Sequence, residues 1–332
     1  MGELSPPPPA KIAVNPVQKK APWLYAFWKF SRPHTIIGTS LSVLGLSAIA
    51  LSGKLDLLWD DGQFVSASLA TVAIAWIACL CGNIYIVGLN QLEDIEIDQI
   101  NKPDLPLASG EYSLRQGRFI VGLTGLSAII LALLGGPFLW ATVGISLGLG
   151  TAYSLPPIRL KRFPFWAALC IFTVRGVIVN LGLFCHFSWA FSGDTAWNLP
   201  AIPPTVWVLT LFILVFTFAI AIFKDIPDIE GDRQYNITTF TIRLGTVSVF
   251  NLARGVLTVC YLGMILASVP LQGYLNPVFL AFVHLVLLSV LWWRSMNVDL
   301  EDRKAIARFY QFIWKLFFLE YLLFPIACLL RY

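Results

Sequence analysis

Nine apolar stretches, each close to the roughly 20 residues that cross a bilayer as a helix, dominate this sequence. They fall at 35–52, 64–90, 117–134, 137–154, 165–188, 204–223, 243–268, 275–293 and 309–330. Backbone placed in hydrocarbon must satisfy its hydrogen bonds within each segment, so helices are the expected element. Composition agrees. The chain is 57% hydrophobic and only 13% charged, with mean hydropathy +0.74, where a soluble domain is about one quarter charged. The expected fold class is all-α, a polytopic membrane protein with nine transmembrane helices.

Residues 1–22 contain the run Pro6 to Pro9 and read as a disordered cytoplasmic tail. The tail has no signal-type apolar stretch, and it is too short and too poor in Ser and Arg for a plastid transit peptide. From Trp23 to Arg32 an aromatic, basic segment reads as an amphipathic helix at the interface. Residues 23–332 then form a single nine-helix domain. All six cysteines lie inside apolar segments and read as small core residues, not as a disulfide framework or zinc site.

Basic residues set the orientation. With the N-terminus inside, every Lys and Arg outside the spans falls on the cytoplasmic side except Lys54 and Arg331. Arg175, Arg254 and Lys315 stay within spans.

Two acidic clusters emerge on that same side. Asn90, Asp94 and Asp98 stand at i, i+4 and i+8, and share a face if the helix continues. Asp225, Asp228 and Asp232 stand at i, i+3 and i+7 after the sixth stretch. Carboxylates crowded in this way repel one another without a cation. Hard oxygen ligands suit Mg²⁺, which commonly binds through a few carboxylates plus phosphate oxygens. Solvated surface charge is the bland alternative, but the chain's few acids crowd into these two short stretches.

Asn90-x-x-x-Asp94-x-x-x-Asp98 with Asp225-x-x-Asp228-x-x-x-Asp232 resembles the paired motifs of the UbiA superfamily of intramembrane prenyltransferases. The resemblance extends through Tyr153-x-x-x-Pro157-x-x-Leu160-Lys161 and covers nearly the whole chain. Within the superfamily, Gly88 to Leu92, Asn101 to Ser113 and Phe223 to Asp232 look like the subgroup that prenylates homogentisate. It implies nine helices around a central cavity that opens near the cytoplasmic side. It assigns Asp94, Asp98, Asp225, Asp228 and Asp232 to Mg²⁺, and makes Asp94, Asp98, Asp225, Asp228 and Lys161 the catalytic set. Asn90 and Tyr153 join the substrate-binding set. The implied reaction is Mg²⁺-dependent transfer of a prenyl group, phytyl first, from its diphosphate to the ring of homogentisate. CO₂ and diphosphate leave, and 2-methyl-6-phytyl-1,4-benzoquinol forms on the route to tocopherol. Geranylgeranyl or solanesyl diphosphate, or another aromatic acceptor, are alternatives within the class. The partners are the two substrates and the lipid bilayer, with no nucleic acid. The setting is the plasma or thylakoid membrane of a cyanobacterium-like cell.

Individual residues carry further expectations. Lys102, Lys161 and Lys224 are candidates for diphosphate contact, although any one cytoplasmic cation also serves topology. Arg159 and Arg162 rank below them. Arg175 lies inside a span, where a charge is expensive and usually functional or paired. It is a candidate for an aromatic acid's carboxylate, or else a structural partner. Asn180, five residues on, falls on roughly the opposite side of an α-helix from Arg175. His34 is placed to orient a phenol or carboxylate, or is simply interfacial; His186 and His284 read as structural. Lys315 and Glu320 read as a pair or as snorkelling groups. Gln91 stands where many family members have Asp. It either adjoins the metals as one fewer anionic ligand or, the favoured reading, faces the acceptor and hydrogen-bonds homogentisate. A transporter is the rival class, but transporters place ionisable groups near the midplane, and here the acids gather at one membrane surface.

Overall fold

The computed structural model describes residues 20–331 except 194–195, 225 and 227–239, with the side chains of 58–60, 164 and 240 also left aside. The proposed tail and Asp225, Asp228 and Asp232 therefore lie outside the described residues, apart from the tail's last three positions. Among the described residues the chain is helical and contains no β-strand.

In chain order the helices are α1 (Pro22–Phe30), α2 (Pro33–Leu51), α3 (Leu55–Asp60), α4 (Gly62–Glu93), α5 (Ile95–Asn101), α6 (Leu114–Leu134) and α7 (Pro137–Ser154). After a 3₁₀ turn at Leu160–Arg162 come α8 (Pro164–Phe172), a π-helical segment Thr173–Ile178, and α9 (Val179–Ser192). The chain continues with α10 (Pro204–Phe223), α11 (Phe240–Leu244), α12 (Thr246–Ala267), α13 (Pro277–Ser295) and α14 (Arg303–Leu329).

Eight helical stretches among the described residues are long and apolar enough to cross a membrane. The ninth expected span, α7, is a continuous 18-residue helix, but Gly144, Gly148 and Gly150 and its polar Thr, Ser and Tyr keep its hydropathy below theirs. It packs against α4, α6 and α9 and leaves Trp140 and Ile145 exposed.

Helix boundaries follow local chemistry. Pro opens α1, α2, α7, α8, α10 and α13, where its missing N–H costs nothing. Ser113 and Gln116 form a reciprocal capping box at the start of α6. The α6–α7 turn runs through Gly136 at φ 100°, and a Cβ there would lie 2.6 Å from Trp189. Only glycine meets both demands.

Two apolar clusters hold the bundle. The larger joins α2, α4, α10, α12 and α14 through residues such as Leu46, Phe216, Tyr261 and Phe317. The smaller gathers Ala26, Phe30, Leu89, Leu107, Tyr112 and Val121, and fastens the interfacial helix α1 onto α4 and the loop after α5. Close approach requires Gly88, whose Cβ would meet Phe30 and Val121 at 2.7 Å. On the outer side of α1, Trp23, Leu24 and Trp28 are exposed, as an interface helix requires.

Glu320 does not pair with Lys315. Its Oε2 lies 3.0 Å from His284 Nε2, with both side chains fully buried between α13 and α14. His284 Nδ1 also lies 2.8 Å from the Leu280 carbonyl oxygen, within its own helix.

Candidate active site

The long helix α4 does not continue through its acidic end. It stops at Asp94 (φ −119°, ψ 21°), and the short helix α5 restarts at once. The cause is visible in the side chain. Asp94 Oδ2 accepts from Lys161 Nζ at 2.6 Å and from Asn90 Nδ2 at 3.1 Å, while Oδ1 accepts from Arg159 Nη2 at 3.1 Å. Both cations come from the segment after α7, so the carboxylate is drawn off the helix face toward α8. Arg159 also reaches the Glu93 carbonyl, at 3.4 Å, one of the carbonyls left open by the helix end.

Asp98 lies one turn further, at 5% exposure. Its Oδ2 is buried without a hydrogen-bond partner, a costly state for a carboxylate. Burial holds its carboxyl above the usual range, the positive charges of Arg32 and Lys102 pull it back, and Asp94 pushes it up again. Lys161 is pulled in opposite directions: burial lowers its ammonium and Asp94 raises it, with burial the stronger. A bound divalent cation would relieve Asp98 directly. The orphaned buried oxygen of Asp98 beside the Asp94 carboxylate therefore fits Mg²⁺. Among the described residues no three His, Cys, Asp or Glu side chains converge, so phosphate oxygens or further acids must complete any such site.

Arg32 is a member of this group that its position as a topology-setting cation did not disclose. It caps α2 in the left-handed conformation, φ 53°, and its guanidinium Nε is buried without a partner. Its charge is felt at Asp98, at His34 and at Tyr153. Lys102 acts on Asp98 and His34, and Lys224 acts on Tyr153. Asn90, Asp94, Asp98, Lys102, Tyr153, Lys161 and Lys224 thus belong to one group linked by contact or charge, with Arg32 and Arg159 added.

Gln91 makes none of these contacts through its amide nitrogen. It is 1% exposed, and its Nε2 donates to the Phe30 carbonyl at 2.8 Å and to Val87 at 3.2 Å. The amide thereby ties the end of α1, two residues before Arg32, to α4. An aspartate could not make this donation.

A cavity of about 120 Å³ lies between α2, α4, α7 and the π-helical segment. Its walls include Ser42, Asn83, Thr142, Leu183, Phe317 and Arg175. The Arg175 guanidinium sits 5.1 Å from the Trp314 ring centre and 5.7 Å from that of Phe317, a cation–π arrangement that lowers the cost of a charge in an apolar setting. His34 packs on the other end of this group, 5.0 Å from Trp314. Asn180 donates to the carbonyls of Gly176 at 2.7 Å and Arg175 at 3.3 Å, and Tyr321 donates to Asn180 Oδ1 at 2.8 Å. The expected separation of Arg175 and Asn180 held for an α-helix. A π-helix closes at i+5 and lines them up.

A carboxylate pair ringed by cations, within a membrane bundle, suits an enzyme that handles substrates both anionic and apolar. The chain belongs to the UbiA prenyltransferase family, whose model matches residues 41–316. It is 56% identical to homogentisate phytyltransferase of Synechocystis sp., over 92% of this chain and 96% of that one. It is 38% identical to homogentisate geranylgeranyltransferase of Triticum aestivum, over 91% of this chain and 72% of that one. Its fold is similar to that of a UbiA homologue from Archaeoglobus fulgidus solved with GPP and Mg²⁺, at TM-score 0.56 and 12% identity, covering 91% of this chain and 99% of that one.

Proposed function

We propose that the protein transfers a prenyl group, phytyl first, from its diphosphate to homogentisate. The observation that carries the reaction type is the buried, unpartnered Asp98 oxygen beside an Asp94 clamped by two cations. The acceptor and chain rest on the likeness to the homogentisate prenyltransferases named above.

Asp94 and Asp98, with Asp225, Asp228 and Asp232 of the second motif, would hold Mg²⁺, which when bound would neutralise the diphosphate and favour its departure. Lys161, Arg159, Arg32 and Lys102 supply further donors to the leaving oxygens. As the C1–O bond breaks, its electron pair leaves with the diphosphate. The ring carbon of homogentisate then bonds to C1 and loses its proton. The acetate group releases CO₂ and takes up a proton to become the methyl of 2-methyl-6-phytyl-1,4-benzoquinol. The apolar walls keep water from the electrophilic carbon. Arg175 binds the acceptor carboxylate in the cavity, and His34 sits at the edge of the same pocket.

The positive bias of the loops supports a cytoplasmic N-terminus and a cytoplasmic position for the carboxylate pair. Residues 23–332 act as one domain in a plasma or thylakoid membrane. A matrix of purified protein with several aromatic acceptors and several prenyl diphosphates, products identified by mass, tests the whole reading. Magnesium-independent turnover, or preference for a non-homogentisate acceptor, overturns it.

A further inference from the structure

A second polar feature lies apart from the reaction cavity, between the end of α13 and the first half of α14. It is a groove of about 420 Å³ lined by Arg294, Arg308, Gln311, Phe312 and Lys315, among others. Arg308, Gln311, Phe312 and Lys315 stand at i, i+3, i+4 and i+7, and so share one face of α14. Arg294 joins from α13, its guanidinium 4.9 Å from the Phe312 ring centre.

Depth makes this groove unusual. α14 has 27 residues, of which about 20 suffice to span the hydrocarbon. Lys315 then lies several residues inside the apolar layer, yet it is exposed. A lysine facing lipid at that depth is expensive unless it reaches a polar partner. Helical side chains lean toward the helix N-terminus, so the long Lys315 stem runs back toward Gln311 and Arg308. All three cations line the one groove. Neither Lys315 nor Arg294 has an acidic partner among the described residues, and Arg308 has only an exposed contact to Asp302 at 3.4 Å. Asp299 and Glu301, in the preceding loop, are also exposed.

We propose that this groove binds the headgroup of an anionic glycerolipid. Its acid group sits among Arg294, Arg308 and Lys315. Its acyl chains follow Leu322 and Ile326, which continue the Lys315 face at i+7 and i+11 and are 44% and 39% exposed. Free phosphate shares the headgroup chemistry but has nothing to place along that apolar continuation, so the lipid is the occupant.

The test uses the full-length protein in phosphatidylcholine nanodiscs with and without phosphatidylglycerol, and counts the lipid retained by native mass spectrometry. The wild type should retain one phosphatidylglycerol in preference to phosphatidylcholine. Each of Arg294→Gln and Lys315→Gln should weaken that retention about fivefold, and Lys315→Arg should keep it. Both side chains are exposed, so unchanged melting and turnover in pure phosphatidylcholine show that the variants are folded. Equal retention by the double variant overturns the proposal. So does displacement of the lipid by inorganic phosphate, which marks a free-anion site, or lost turnover in pure phosphatidylcholine, which makes the groove part of the reaction site.

Discussion

Lys161 Nζ lies 2.6 Å from Asp94 Oδ2, and the helix that carries Asp94 ends where that contact is made. The ion pair joins two parts of the chain separated by the helices α6 and α7, and sets the carboxylate off the α4 face. Asp94→Asn and Lys161→Gln should each cut kcat about 100-fold, the usual scale for losing one donor or charge at a developing anion. The double variant should be little worse than either single one, because each removal already breaks the unit. Multiplicative losses in that cycle would show that the two side chains act separately.

Chelation should abolish turnover, and Mg²⁺ or Mn²⁺ should restore it. Asp94→Ala, Asp98→Ala, Asp225→Ala and Asp228→Ala should each lose most activity, with Asp232→Ala milder. Two of the first four variants working at normal rates, with equal folded protein, would remove the two-cluster account.

Asp98 gives a stability prediction of opposite sign to its catalytic one. Its carboxyl is raised in the folded protein, so without metal the folded state holds that proton to higher pH than the unfolded chain does. Stability therefore declines as pH rises from the ordinary carboxylate range, about 4, through the raised value. Asp98→Asn should lose activity yet melt higher than the metal-free wild type at neutral pH. Mg²⁺ should raise the melting temperature of the wild type and leave the variant nearly unmoved. A variant that melts lower in metal-free buffer contradicts the buried-charge reading.

For Gln91 the geometry favours a role different from the one its sequence position suggested. With its Nε2 on the Phe30 carbonyl, Gln91→Asp should loosen the α1–α2 corner and misplace Arg32. The KM for the prenyl diphosphate should rise more than that for homogentisate. A change confined to the homogentisate KM would return Gln91 to the acceptor pocket.

Arg175→Met keeps the length and packing of the side chain and removes its charge. A charge-assisted hydrogen bond is worth about 1.5–3 kcal/mol, so the homogentisate KM should rise roughly tenfold to a hundredfold. An acceptor that lacks the carboxylate should be affected far less. Equal losses for both acceptors assign Arg175 to the fold alone.

Apolar run lengths and loop charge were enough to read a helical membrane bundle, because hydrocarbon imposes both directly. The crowding of Asp94 and Asp98 was legible for a similar reason: carboxylates gathered at one membrane surface stand out against an apolar chain. Arg32 and Arg159 were not legible as site members. Their placement depends on left-handed backbone at φ 53° and 38°, which spacing in the sequence does not reveal. The Gln91 contact was not legible because its partner is a backbone carbonyl 61 residues earlier. Arg175 and Asn180 were set apart by α-helical arithmetic that the π-helical segment does not obey.

That segment, Thr173–Ile178, has a consequence for chain length. Deleting one residue within it would allow an unbroken α-helical ladder to run from Pro164 to Ser192 with both flanking halves in place, because the wide turn is what takes up the extra residue. Only the residues inside the turn would change phase, and the Arg175 guanidinium would swing off Trp314 and Phe317. A single-residue deletion here should therefore withdraw Arg175 from the cavity wall while leaving the helices on either side packed as they are.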